Sequence, residues 1–263
     1  MTVKENKTIS EILSAVFLAF ILSGQCAAQD DDVLFQVSTI DALMQGVFDG
    51  FYSFNDLMAQ GDFGIGTFDA LDGELIALDG ECFQIRADGV AYPVRGDTTS
   101  PFATVTRFDA DQNVALENAA NFSELARQID RYLPSPNAFY ALRIDGTFPY
   151  VQTRSVPAQD KPYPRLAEAV EDQSVFNLTN VTGSVVGIWA PDFARGVNVP
   201  GYHLHFITED RKAGGHILEI QVANATAQVD ATAGFAMQLP TSGAFYNVNL
   251  SGDLQEELER IEK

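Results

Sequence analysis

Positive charge, cysteine and histidine are all scarce in this chain, and the first two scarcities remove whole classes of function. Against 36 Asp and Glu stand only 16 Lys and Arg, a formal net charge of −20 over 263 residues. Such a balance repels polyanions, which excludes nucleic acid and anionic membrane faces as partners. The two cysteines, Cys26 and Cys82, form no CxxC pair. A phosphate-cradling glycine loop and a Ser, His, Asp order are missing as well, so none of these motifs competes for the chemistry of the chain.

Long hydrophobic runs are absent apart from residues 12–22, and that run is too short to span a bilayer comfortably. Lys4 and Lys7 precede it, and Ala27 and Ala28 follow, which is the order of a secretory signal peptide over residues 1–28. Cleavage there predicts an exported protein, periplasmic or extracellular, that starts at Gln29 and keeps no membrane segment. Cys26 leaves with the signal, so Cys82 remains a lone thiol and no intramolecular disulfide forms.

The three histidines are few but crowded: His203, His205 and His216 all fall within residues 201–216. His203 and His205 are two apart, so on a strand both imidazoles point to the same face. Apolar residues Tyr202, Leu204, Phe206 and Ile207 support that strand, and residues 217–222 read as a second one. Between them, residues 209–215 are polar and end in Gly214 and Gly215, which suits a hairpin turn. Folding about the turn sets His216 opposite His205, with Cβ atoms on the order of 5 Å apart. Three neutral imidazoles converging on one point suit Zn²⁺, and less selectively other first-row divalent metals, with positions left open for water or substrate.

Apolar residues at 46% and charged residues at 20% describe a globular chain long enough for one large core or two smaller ones. Residues 33–37 read as a strand, and Ser38 or Thr39 caps a helix through Ile40, Leu43 and Met44. Ser53 with Asp56 resembles a capping box for a brief helix that Gly61 stops. Strand-like runs at 63–68, 73–78, 81–86 and 90–94 are punctuated by Asp-Gly pairs, which predicts an antiparallel meander. A further strand is expected within 101–108. Asn121 or Ser123 opens a helix with Phe122, Leu125, Ile129 and Leu133 on one face, ended by Pro134 and Pro136.

Asp145-Gly146 predicts a hairpin between residues 139–144 and 147–156, with Pro149 at an edge or bulge. Residues 156–164 are proline-rich and mark a boundary between an N-terminal α/β subdomain, 29–160, and a C-terminal one, 161–263. The latter would hold a helix at 166–175, a strand at 183–189, the histidine hairpin and a last helix at 253–261 capped by Ser251. The fold class expected is α/β or α+β, sheet-dominated, with mixed sheets and covering helices.

Two other polar residues are less eloquent by themselves. Glu74 follows an Asp-Gly turn among Leu75 and Ile76; it reads either as an exposed strand residue or as an acid–base group with a raised pKa. Arg154 near a strand end either covers a sheet face or grips an anion bidentately. Local sequence favours the first reading for each.

Residues 200–216, Pro-Gly-Tyr-His-Leu-His-Phe-Ile-Thr-Glu-Asp-Arg-Lys-Ala-Gly-Gly-His, closely resemble the signature block of the α-acetolactate decarboxylases. The likeness continues through Leu34-Phe-Gln-Val-Ser-Thr-Ile40, Leu71-Asp-Gly-Glu74, Arg154-Ser-Val-Pro157, Lys161-Pro-Tyr-Pro164 and Gln238-Leu-Pro240. Nearly the whole chain after residue 28 is covered. The resemblance implies conversion of 2-acetolactate to acetoin and CO2 through an enediolate stabilised by zinc, with His203, His205 and His216 as the metal ligands. It implies that Glu74, Arg154 and a C-terminal glutamate line the site, the last being Glu262 from the run Leu258-Glu-Arg-Ile-Glu262, with Glu259 as the alternative. It further implies a two-part fold, a homodimer and no organic cofactor. Two other classes fit the histidines alone: an exported zinc-binding module without catalysis, and a metal hydrolase.

Overall fold

The computed structural model describes residues 32–262; the expected signal peptide lies outside them. Strands β1 (Val33–Val37), β3 (Phe63–Thr67), β4 (Glu74–Leu78), β5 (Glu81–Ile85), β6 (Ala91–Pro93), β8 (Ala103–Thr106) and β14 (Gly234–Gln238) form a seven-stranded sheet in the order β14-β1-β8-β3-β4-β5-β6. Only β1 and β14 run parallel; the other pairs are antiparallel, and β3 to β6 are the meander expected from the Asp-Gly turns. The short strands β2 (Tyr52–Ser53) and β7 (Thr99–Ser100) pair separately.

The second sheet contains β9 (Gln112–Ala119), β10 (Phe139–Ser155), β11 (Ser174–Ala190), β12 (Gly201–Thr208) and β13 (Gly214–Thr232). Because β10 pairs with β11 on one side and β13 on the other, and β12 joins β11 to β13, four strands close into a ring. Each sheet draws strands from both sides of the 160/161 boundary, so the structural layers are the two sheets. The fold is α+β and sheet-dominated, with one mixed and one antiparallel sheet.

The hairpin expected at Asp145-Gly146 is not formed: β10 runs straight through it. Neighbours on both sides claim its backbone bonds, and Gly146 answers close packing instead of a turn, since a Cβ there would lie 2.4 Å from the Ala225 Cβ. Pro149, with no N–H to donate, falls where the pairing steps from Phe148 to Tyr150. Strand β9 is an addition to the expected strands: Val114 and Leu116 point inward and Asn113, Ala115 and Glu117 outward, a clear period-two alternation.

Helices α1 (Ile40–Met44), α2 (Phe54–Gln60), α3 (Phe122–Ile129), α4 (Leu166–Ala169) and α5 (Gln255–Glu262) cover the sheets. Thr39, Ser53 and Asn121 cap the first three through side-chain oxygens. α4 is shorter than the expected 166–175: it tightens at Val170–Asp172 and gives way to β11 at Ser174. Glu171 and Asp172 oppose the negative end of a helix, while Val175 takes a place opposite Arg154 in the sheet. For α5 the capping oxygen is Asp253 Oδ1, which accepts from Gln255 N at 3.0 Å, in place of the expected Ser251. Leu258 and Ile261 of α5 are buried against Ile40, Leu43, Phe102, Val156 and Leu166. Among the described residues no helix is long and apolar enough to cross a membrane.

Candidate metal and acid–base site

The histidine hairpin forms in the expected register, with His205 opposite His216 and Arg154 of β10 opposite His216 on its other side. Direct partners in antiparallel strands share a face, so these three side chains and His203 project together. The three imidazoles sit with ring centroids 5.1 to 5.4 Å apart. They face the seven-stranded sheet, and His205 Nδ1 donates to the Leu75 carbonyl across that boundary at 2.8 Å. A carbonyl can only accept, so the proton is on Nδ1 and the Nε2 lone pair is free to ligate.

Glu74 is carried in by the β3–β4 connection. Ala70 and Leu71 both take φ of 60° there, and Gly73 takes 86°, a tight path that starts β4 directly under the histidines. Thr67 Oγ1 donates to the Gly73 carbonyl at 2.8 Å, and the buried Gln84 side chain donates to the Asp72 carbonyl at 2.6 Å, so the turn is held from both sides. The backbone beside Arg154 is fastened likewise: Thr153 Oγ1 donates to the Gly214 carbonyl at 3.0 Å and Ser155 Oγ to the Ile85 carbonyl at 2.8 Å.

Arg154 Nη1 meets Glu74 Oε1 at 3.1 Å and its Nη2 meets Glu262 Oε1 at 3.4 Å, with all three side chains at most a tenth exposed. Glu262 Oε2 lies 3.5 Å from His203 Nε2 and 3.7 Å from His216 Nε2, while Glu74 Oε2 lies 3.6 Å from His205 Nε2. The structure thus brings together every site residue expected from the sequence, and it brings Glu262, whereas Glu259 lies on the exposed face of α5.

One arginine set against two glutamates cannot balance both, and burial makes the second negative charge costly. Burial pushes Glu74 up to about 7, against the pull of Arg154 and helped by the Glu262 charge. Burial likewise raises Glu262, opposed by Arg154. The pair can therefore hold a proton near neutral pH. The histidines move the other way: burial, then Arg154, lowers His203 to about 3, and burial carries His205 and His216 well below the usual range. All three rings are neutral, the form that binds metal.

The residues fit a metal ion. One ring nitrogen from each histidine lies within 4.8 Å of the others. His205 Nε2, both nitrogens of His216 and Glu262 Oε2 are buried without a hydrogen-bond partner, an arrangement that costs free energy unless a ligand satisfies them. The donor set of three imidazoles suits a first-row divalent ion.

The cavity beside these groups is walled by Ile40, Leu43, Leu71, Phe102, Val156 and Leu166. No local motif announces this apolar wall, because its six residues come from five separated segments. Glu262 also borders a second cavity of about 550 Å³ between α3, α5 and the starts of β12 and β13.

A buried three-histidine cluster flanked by two glutamates and an arginine, set between a mixed and an antiparallel sheet, defines an α+β protein with a metal-competent acid–base centre. The family model for alpha-acetolactate decarboxylase matches residues 34–252. A relative from Methanosarcina mazei named alpha-acetolactate decarboxylase is 58% identical over 232 residues, 88% of this chain and 81% of its own length. Another of that name, from Methylococcus capsulatus, is 42% identical over 89% of this chain and 90% of its own. The crystal structure of the Bacillus subtilis alpha-acetolactate decarboxylase superposes with a TM-score of 0.85 at 41% identity, covering 88% of this chain and 98% of that one. The chain belongs to the alpha-acetolactate decarboxylase family.

Proposed function

We propose that this protein converts 2-acetolactate to acetoin and CO2, using zinc held by His203, His205 and His216. The observation that carries the reading is the convergence of these histidines with Arg154, Glu74 and Glu262 in one buried cluster beside the apolar-walled cavity, within a chain whose relatives bear that activity in their names. A zinc ion bound there supplies a Lewis acid that stabilises negative charge on substrate oxygen.

The chain's own residues do the rest. Arg154, which lines the cavity between Glu74 and Glu262, orients the substrate carboxylate, which must stay ionised to leave as CO2. Loss of CO2 leaves an electron pair on the former α-carbon, and a proton must arrive there to give acetoin. Glu74 and Glu262, raised by burial, hold that proton at carboxyl oxygens on either side of Arg154. The apolar wall receives the methyl groups and excludes water, which strengthens each of these electrostatic contacts. Incubating the purified protein with racemic acetolactate, with and without a chelator, tests the reading. Acetoin should form, stop on chelation and return with zinc; an untreated preparation that binds zinc but yields no acetoin would leave only a metal-binding module.

Export and dimer formation belong to the same reading. The mature protein should begin at Gln29 by mass spectrometry, and an intact Met1 on the folded protein refutes the signal peptide. A homodimer is supported by the edge strand β14, where Phe235 and Met237 are each 38% exposed; a monomer mass by light scattering at micromolar concentration refutes it.

A further inference from the structure

We infer that Arg165 is a positioning residue for the acid–base site, acting through an ionic latch on α5. The inference rests on the proposed decarboxylase reading for its catalytic readout and on geometry alone for its structural one. Arg165 Nη2 meets Glu257 Oε2 at 2.9 Å. Glu257 lies on the helix that ends in Glu262, the one site group that arrives from a helix rather than a strand. The partners differ in burial, the Arg165 side chain being 42% and that of Glu257 19% exposed.

Besides this pair, α5 is tied at its last residue by the Arg154–Glu262 contact at 3.4 Å. Eight residues are too short to persist as a helix without docking. The chain leading to it is loosely held: none of residues 241–253 is buried. Leu258 and Ile261 anchor the helix in the apolar cluster, but apolar contacts are non-directional and permit sliding and rotation. On its other side lies the 550 Å³ cavity, bordered by Leu258, Glu259 and Glu262 themselves, so packing there does not prevent the helix from shifting. Directional bonds are what fix its azimuth, and Arg165–Glu257 at 2.9 Å is a shorter one than Arg154–Glu262 at 3.4 Å.

The anchor end of the latch is fastened to a second segment of the chain. Arg165 directly follows the Lys161-Pro-Tyr-Pro164 motif, for which the reaction itself gives no use. That segment is pinned to the loop after α1: Lys161 Nζ meets Asp49 Oδ1 at 2.6 Å, the Tyr163 ring packs on Phe48 at 5.4 Å between centroids, and Gly46 lies so close that a Cβ there would come 2.4 Å from the Pro164 carbonyl oxygen. Immediately after Arg165, Leu166 forms part of the catalytic cavity wall. Arg165 and the wall residue Leu166 therefore sit side by side on one fastened segment, and α5 is tied to the same segment. Releasing the latch lets Glu262 drift from Arg154 and the histidines, and displacement of a catalytic group by about 1 Å can cost on the order of a hundredfold in rate.

The test uses the full-length metal-loaded protein and the variants R165A, E257A and the charge swap R165E/E257R, with R95A as a control that breaks the exposed Arg95–Asp97 pair, which involves no residue of α5. Hydrogen exchange of α5 amides should speed up about tenfold in both single alanine variants, as expected for loss of a charge-assisted bond, and return toward wild type in the swap. In the acetoin assay the single variants should lose about 10- to 100-fold in kcat with little change in KM, with bound zinc and the unfolding midpoint close to wild type. Adding R165A to E262Q should cause no further loss, because both act on one group. Exchange and kcat unchanged in R165A, or a loss that multiplies onto that of E262Q, would overturn the inference. Should the wild type make no acetoin, the decarboxylase reading fails by itself, and the exchange measurement alone decides whether Arg165 registers the helix.

Discussion

His205 gives its Nδ1 proton to the Leu75 carbonyl and keeps its Nε2 bare in a buried site, so this one ring joins the two sheets and points at the place where the three histidines could hold a metal. Replacing it with alanine should remove stoichiometric zinc in elemental analysis, and zinc retained at one per chain would refute the ligand assignment. Glu74 and Arg154 are different: neither is needed to complete a three-histidine set. E74Q and R154A should keep zinc while acetoin formation falls by at least about 100-fold, the scale of a lost proton donor or charge clamp. Zinc loss in parallel with activity in E74Q would instead make Glu74 a ligand. Local sequence favours an ordinary strand residue for each, and only the family resemblance places them at the site. Their roles depend on burial and on one another across a separation of 80 positions, which no local window contains.

Among the elements, the histidine hairpin was the most legible because everything that specifies it is short-range: a two-residue period, apolar neighbours and a glycine-ended turn. The turn before β4 was legible too, and its tightness is testable. A Cβ on Gly73 would lie 2.2 Å from the Ile85 carbonyl oxygen at a φ of 86°, so G73A should destabilise the protein by about 1–3 kcal/mol in urea melts and displace Glu74. Unchanged stability and kcat would show that the turn has slack. By contrast, the same Asp-Gly signal at 145–146 failed because β10 is hydrogen-bonded on both flanks, and tertiary pairing overrode turn chemistry. The end of α4 failed for a related reason, the pull of β11 on Val175. Placement of α5 was unreadable beyond its apolar spacing, since its polar ties run to Arg165 across 92 positions and to Arg154 across 108.

At the scale of the molecule, the surplus of acidic groups leaves a mark on stability as well as on partner choice. Asp230 is 1% exposed. Burial, then the nearby charges of Asp111, Asp32 and Asp109, raises its carboxyl to about 7, although the Asp109 amide hydrogen-bonds to it. The unfolded chain releases this proton near pH 4 and the folded one only near 7, so stability falls as pH climbs through that window. D230N should flatten the fall, gaining on the order of 2 kcal/mol at pH 7 relative to pH 4.5, read as a shift in the thermal midpoint. An equal pH slope in wild type and variant would assign the effect elsewhere.

The histidines hang from one sheet and are steadied by a carbonyl of the other, so the metal position exists only while the two layers are registered against each other. Occupancy and inter-sheet packing are therefore thermodynamically linked: an ion that binds only the registered state adds RT ln(1 + [L]/Kd) to its stability, about 4 kcal/mol at a thousandfold excess over Kd. The metal content of a preparation then serves as a gauge of how well its layers are assembled, and a substitution that loosens the seam between sheets, far from any catalytic group, should first announce itself as lost zinc.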